Sequence, residues 1–123
     1  MDIYRDHLLD HYYYPRGWGL TSAANREERG VNMLCGDELM IQLQVEGMRV
    51  ESMRFEGHGC VISRASASLL AEQIGGWKVK AVQALTLADI QSWLGVELPP
   101  VRIACALLAI ETVQRALQRE KTS

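Results

Sequence analysis

The chain has 123 residues, 48% hydrophobic and 23% charged, with a formal net charge of −2. That balance suits a globular chain with a core of its own and leaves no basic footprint for nucleic acid or an anionic membrane surface. No apolar run approaches the ~20 residues a membrane span needs.

Length sets the expectation of a single domain over 1–123. The opening Met1-Asp2-Ile3-Tyr4-Arg5-Asp6-His7 mixes charge and polarity, unlike a secretory signal. With an odd count of 3 cysteines, it points to a reducing, cytoplasmic setting rather than a disulfide framework.

Residues 3–13 carry Ile3, Tyr4, Leu8, Leu9, Tyr12 and Tyr13 at helical spacings and predict an amphipathic helix. Tyr14-Pro15-Arg16-Gly17 ends it. Residues 17–29 are rich in glycine, alanine and charge, with weak periodicity, and read as a mobile loop. From Glu38 to Glu46 the pattern alternates, with Leu39, Ile41, Leu43 and Val45 on one face and Met40, Gln42 and Gln44 on the other, which predicts a half-buried strand. Glu46-Gly47 supplies a turn, and Val50–Glu56 a second strand with Met53 and Phe55 inward. Val50 is out of phase with that pair, which predicts a bulge. Residues 30–34 are a candidate third strand.

After Gly57-His58-Gly59-Cys60 the period changes. Ala65, Leu69, Leu70 and Ile74 predict a helix over Ser63–Ile74, closed by Gly75-Gly76. Its small residues Ala65, Ser66, Ala67 and Ser68 allow close approach of another backbone. Short helices are expected at 78–85 and 86–94. A last helix follows Pro99-Pro100, with the stripe Ile103, Leu107, Ile110, Val113 and Leu117. The tail Glu120–Ser123 is expected to fray. Strands and helices run in blocks, which predicts an α+β layered fold.

The three cysteines stand at marked places: Cys35 in Leu34-Cys35-Gly36-Asp37, Cys60 after Gly57-His58-Gly59, and Cys105 near the start of the last helix. Thiolates are favoured near helix N-termini and positive charge. A lone cysteine is most often a small buried hydrophobe, and Cys105, on an apolar helix, fits that reading as well as a functional one. Cys60 lies in a glycine-flanked strand-to-helix link, and Gly36 frees the backbone to turn Cys35 and Asp37 to one side. No CxxC pair is present, which removes zinc-ribbon and thioredoxin-like readings. Any shared site must therefore be assembled by the fold. Three thiolates with Asp37 suit tetrahedral Zn²⁺ or iron with sulfide. The carboxylate, a hard donor, holds soft sulfide-bridged iron less tenaciously than a fourth thiolate would, so such a site favours handing its cargo on.

Other constellations carry less. His58, between two glycines, reads as a solvated loop residue. His7 and His11 stand at i, i+4 without a neighbouring acid or cysteine pair and read as surface or partial core. Ser63, Ser66 and Ser68 have no positioned His–Asp set, and the glycines match no phosphate-binding fingerprint. Tyr12-Tyr13-Tyr14 suits helix packing or a binding surface.

At these residues the chain resembles the U-type iron–sulfur cluster scaffold family, which includes IscU, SufU and the NifU N-terminal domain. Asp10-His11-Tyr12 with Pro15-Arg16 is similar to the family's Asp-His-Tyr…Asn-Pro-Arg segment, with Tyr14 in place of Asn. Cys35-Gly36-Asp37 matches Cys-Gly-Asp. Phe55 through Ser63, continuing into Ala65-Ser66-Ala67-Ser68, resembles the second-cysteine segment in its SufU wording. Leu98-Pro99-Pro100-Val101-Arg102-Ile103-Ala104-Cys105 resembles the IscU segment Leu-Pro-Pro-Val-Lys-Ile-His-Cys. Ala104 stands where IscU proteins have His and SufU proteins Lys; Met33 and Leu34 replace the small or proline-containing lead-in to Cys35; and the SufU insertion is absent.

The resemblance implies a SufE/IscU-like α+β fold: an N-terminal helix, a small three-stranded antiparallel sheet, then helices packed on one face. It implies a scaffold rather than an enzyme. Such a protein takes persulfide sulfur from a cysteine desulfurase, assembles a transient [2Fe–2S] cluster on Cys35, Asp37, Cys60 and Cys105, and passes it to apoproteins. Cys105 is the candidate sulfur acceptor, beside Cys35 and Cys60. In SufU-like members the same four ligands hold Zn²⁺ and the protein is a zinc-dependent sulfurtransferase. A third reading leaves zinc only a stabilising role. The similarity of Leu98–Arg102 to the IscU motif further implies docking of an Hsp70-type chaperone there.

Overall fold

The computed structural model describes residues 3–118, with Ile3 and Tyr4 described as backbone alone. The expected apolar positions Ile3 and Tyr4 and the expected frayed tail therefore lie outside the described side chains. The order is α1 (Ile3–Tyr13), β1 (Arg26–Asn32), β2 (Asp37–Glu46), β3 (Arg49–His58), α2 (Val61–Gln73), α3 (Val79–Gln83), α4 (Leu87–Leu94) and α5 (Pro100–Gln118). The strands form one antiparallel sheet in the order β1-β2-β3, so the α+β reading holds.

The alternation of β2 is realised as expected. Leu39, Ile41, Leu43 and Val45 are buried on the face that meets the helices, together with Val50, Met53 and Phe55 of β3. The odd phase of Val50 is a bulge: Gln44 pairs with Ser52, but Val45 pairs with Val50, so one residue of β3 is left over and the strand re-enters the core in register. Against this face lie α2 and α5. In α2 the small residues Ser63, Ala65, Ser66, Ala67 and Ser68 are all buried, and the helix sits between α1 and α5. The stripe expected on α5 is only part of its buried surface. Ile110 and Val113 are buried, but Cys105, Ala106, Ala109 and Ala116 lie deeper than the half-buried Ile103, Leu107 and Leu117. The cause is that α5 packs on the sheet, α2, α3 and α4 at once.

The strand at 30–34 instead begins at Arg26, inside the predicted loop. Its run Arg26-Glu27-Glu28-Arg29 lacks apolar alternation, and the pairing partner makes it a strand, from Arg26 opposite Leu43 to Asn32 opposite Asp37. Charged pairs replace apolar ones: Arg29 donates from Nε and Nη2 to Glu38 at 3.1 and 2.8 Å, and Gln42 donates to Glu27 at 2.8 Å. A Cβ on Gly30 would overlap the Thr112 hydroxyl, so the glycine lets α5 lie directly on β1.

The rest of the predicted mobile loop is tied down along the β3 edge and against β2. Gly17 and Gly19 bracket Phe55, with Phe55 N–H donating to Gly17 O at 2.8 Å and Gly19 N–H to Phe55 O at 2.9 Å. Thr21 N–H donates to Gln42 Oε1 at 2.7 Å, and Asn25 exchanges side-chain hydrogen bonds with the Val45 backbone at 2.8 and 2.9 Å. No described helix is long and apolar enough to cross a membrane.

Candidate metal centre

Three junctions of the fold converge at one end of the sheet. Cys35 lies on the β1–β2 connection, which turns at Gly36 with φ +70°. Asp37 opens β2, Cys60 is the N-cap of α2, and Cys105 lies in the second turn of α5. Donor atoms of Cys35, Asp37 and Cys105 all fall within 4.8 Å of one another. Cys60 joins through Asp37: its Sγ is 3.9 Å from Asp37 Oδ2.

Asp37 organises the centre. Its side chain is fully buried, and Oδ1 accepts the backbone N–H of Cys60 at 2.8 Å. That bond replaces a side-chain cap on α2 and ties the start of β2 to the start of the helix. Gly59 makes the approach feasible. It sits at φ +142°, and a Cβ there would overlap the Asp37 carboxylate.

Each of two thiols meets a donor from the opposite element. Asn32 of β1 donates from Nδ2 to Cys105 Sγ at 3.6 Å, and Arg102 of α5 donates from Nη1 to Cys35 Sγ at 3.8 Å. Cys35 and Cys60 are half-buried, whereas Cys105 is buried. Burial, with added hydrogen bonding to Asp37, Cys35 and Cys60, pushes the Cys105 thiol far above the ordinary range. A metal entering this centre must therefore displace that proton. Three sulfur donors and one carboxylate fit a tetrahedral Zn²⁺ shell or an iron–sulfide unit.

The remaining sequence candidates divide. His58, at the exposed end of β3, is outside this donor group. Ser63, Ser66 and Ser68 are buried packing residues; Ser63 donates to Cys60 O at 3.1 Å. His11 departs from the sequence reading because an acid does lie beside it. It is 2% exposed, its Nδ1 is 2.7 Å from Ser68 Oγ, and Nε2 is 3.3 Å from Glu72. His7 reaches Trp93 O at 3.1 Å. Sequence reasoning missed Asn32 as a partner of Cys105 and Arg102 as a partner of Cys35. Both act across the fold, and only position beside the cysteine motifs hinted at them.

The NifU-like N terminal domain model matches residues 3–122. The iron–sulfur cluster assembly scaffold protein IscU of Escherichia coli K12 is 36% identical over 125 residues, covering 97% of this chain and 94% of that protein. The zinc-dependent sulfurtransferase SufU of Bacillus subtilis is 29% identical over 136 residues, covering 97% and 92%. Among solved structures, a protein described as an iron–sulfur cluster assembly scaffold for the SUF system of Fervidobacterium islandicum superposes with a TM-score of 0.75 at 29% identity, over 91% of this chain and 94% of that one. The N-terminal part of a NifU-like protein from Brucella abortus superposes with a TM-score of 0.78 at 17% identity, over 94% and 92%, a likeness of fold. With its motifs, its fold and nearly its whole length matched, the chain belongs to the NifU-like N terminal domain family.

Proposed function

We propose that this chain is an iron–sulfur cluster assembly scaffold that works as a single domain over 1–123. It takes sulfur from a cysteine desulfurase, assembles a [2Fe–2S] cluster on Cys35, Asp37, Cys60 and Cys105, and passes it to apoproteins. The observation that carries this reading is the donor group itself, Cys35, Asp37 and Cys105 within 4.8 Å, with Cys60 attached through Asp37 at 3.9 Å.

The residues divide the work. Half-buried Cys35 and Cys60 present thiols at the surface, while buried Cys105 anchors the inner side. Cys105 is the candidate acceptor of persulfide sulfur, beside Cys35 and Cys60. Arg102, 3.8 Å from Cys35 Sγ, supplies positive charge for thiolate sulfur. Asp37, the hard donor, is the ligand that yields when the cargo leaves. The protein works in the cytoplasm, and its partners are the desulfurase and the acceptor apoproteins.

A zinc-dependent sulfurtransferase is the second reading. It is favoured by a donor set that closes a tetrahedral zinc shell and by the sulfurtransferase name of the Bacillus relative. The chaperone contact at Leu98–Arg102 is a further proposal. Val101 there is 71% exposed, but Pro100, Val101 and Arg102 already form the first turn of α5. Docking as an extended peptide would require that turn to open.

Anaerobic reconstitution with iron and sulfide, beside metal analysis of the protein as purified, separates these readings. A scaffold forms a coloured cluster that an apo-ferredoxin removes. A sulfurtransferase retains zinc and stays colourless while accepting persulfide sulfur.

A further inference from the structure

We infer that Asn32 is a positioning residue for the metal centre, an amide donor that holds and electronically tunes the sulfur of Cys105. The inference rests on the reading of Cys35, Asp37, Cys60 and Cys105 as metal ligands.

The amide has its orientation set by a second contact. Asn32 Oδ1 accepts the backbone N–H of Leu34 at 3.3 Å. Only the oxygen of a carboxamide can accept that proton, so Nδ2 is the end turned toward Cys105, 3.6 Å from Sγ. Sulfur's larger radius makes that a hydrogen-bonding separation. The backbone of Asn32 is fixed as well, since it pairs with Asp37 at the end of the β1–β2 ladder that the connection closes. One residue thus touches the β1–β2 connection through its oxygen, the Asp37 strand through its backbone, and α5 through its nitrogen.

The two donors at the centre differ in kind. Cys35 is half-buried and is met by Arg102, a cation on a flexible stem. Cys105 is fully buried and is met by a neutral amide already held at its other end. A hydrogen bond to a ligating thiolate withdraws electron density from sulfur, lowers its donor strength and fixes its direction. Arg102 also bonds the Cys105 sulfur and acts on Cys60 and Cys35 by charge, so its cation is shared among the sulfurs, whereas the oriented amide of Asn32 is directed at Cys105.

The test uses Co²⁺ bound to the otherwise metal-free full chain, whose bands report thiolate ligation and geometry separately. In Asn32→Leu, similar in size but without the donor, the sulfur-to-cobalt charge-transfer band should move to lower energy, because the unbonded thiolate is easier to oxidise. The ligand-field bands should remain those of four-coordinate cobalt, and Co²⁺ affinity should fall by about tenfold because the sulfur is no longer held in its ligating direction. Asn32→Ala should shift the charge-transfer band in the same direction. Unmoved charge-transfer bands in both variants would overturn the inference. So would ligand-field bands that shift while the charge-transfer band keeps its energy, since Asn32 would then be maintaining only the shape of the site. A parent protein that shows no thiolate charge-transfer band would instead overturn the ligand reading itself, and this inference with it.

Discussion

Asp37 binds Cys60 twice over: its Oδ1 accepts the Cys60 backbone N–H at 2.8 Å, and its Oδ2 lies 3.9 Å from the same residue's sulfur. One carboxylate therefore fixes the start of α2 and also faces the metal centre. These two duties give opposite signs when it is removed.

In the metal-free chain, Asp37→Ala leaves the part-buried Cys60 N–H without its acceptor. The expected cost is about 1–3 kcal/mol, read from denaturant unfolding. On the reconstituted protein, loss of the hard ligand should slow transfer and prolong survival of the cluster, followed by visible absorbance with and without an apo-ferredoxin. Faster cluster loss than in the parent would contradict the labile-ligand role.

Gly59 tests the geometry without replacing a ligand. At φ +142°, with the Asp37 carboxylate where a Cβ would go, Gly59→Ala should destabilise the fold by about 1–3 kcal/mol. It should also weaken Zn²⁺ retention in a competition with a chromogenic chelator. Parent-like retention would mean that the approach of Asp37 to Cys60 is dispensable for the centre.

Much of this arrangement is legible in the sequence, and the rest is not for physical reasons. The alternation Leu39, Ile41, Leu43, Val45 and the phase slip at Val50 are local patterns, so the β2–β3 hairpin and its bulge follow from them. Cys35-Gly36-Asp37 and Gly59-Cys60 are local motifs as well. In β1, Arg26–Arg29 carry no apolar rhythm because their outward partners are Glu38 and Gln42. The strand exists through its neighbour. Asn32, Arg102 and His11 likewise take their roles from residues far along the chain, and no window of sequence contains both members of such pairs.

His11 supplies a pH dependence. Burial lowers its pKa below the usual imidazole value, and Arg16 and His7 add to that shift, while Glu72 and Asp10 oppose it. The fold therefore prefers the neutral ring. Stability is fully present above the unfolded-state pKa of about 6.5, falls as pH drops through it, and levels once the folded ring is protonated. Thermal midpoints between about pH 8 and pH 5 should decline more steeply in the parent than in His11→Gln. Equal slopes would show that another group governs the acid side.

The most direct measurement is the visible spectrum and the iron and sulfide content after anaerobic reconstitution of the parent and of Cys35→Ser, Cys60→Ser and Cys105→Ser. If the three sulfurs and Asp37 form one cluster-carrying centre, the parent gains a coloured, transferable cluster and each substitution abolishes its stable assembly. A parent that stays colourless with zinc bound would favour the sulfurtransferase reading over the scaffold. Stable parent-like clusters in all three variants would contradict the account, because the centre would then lie elsewhere.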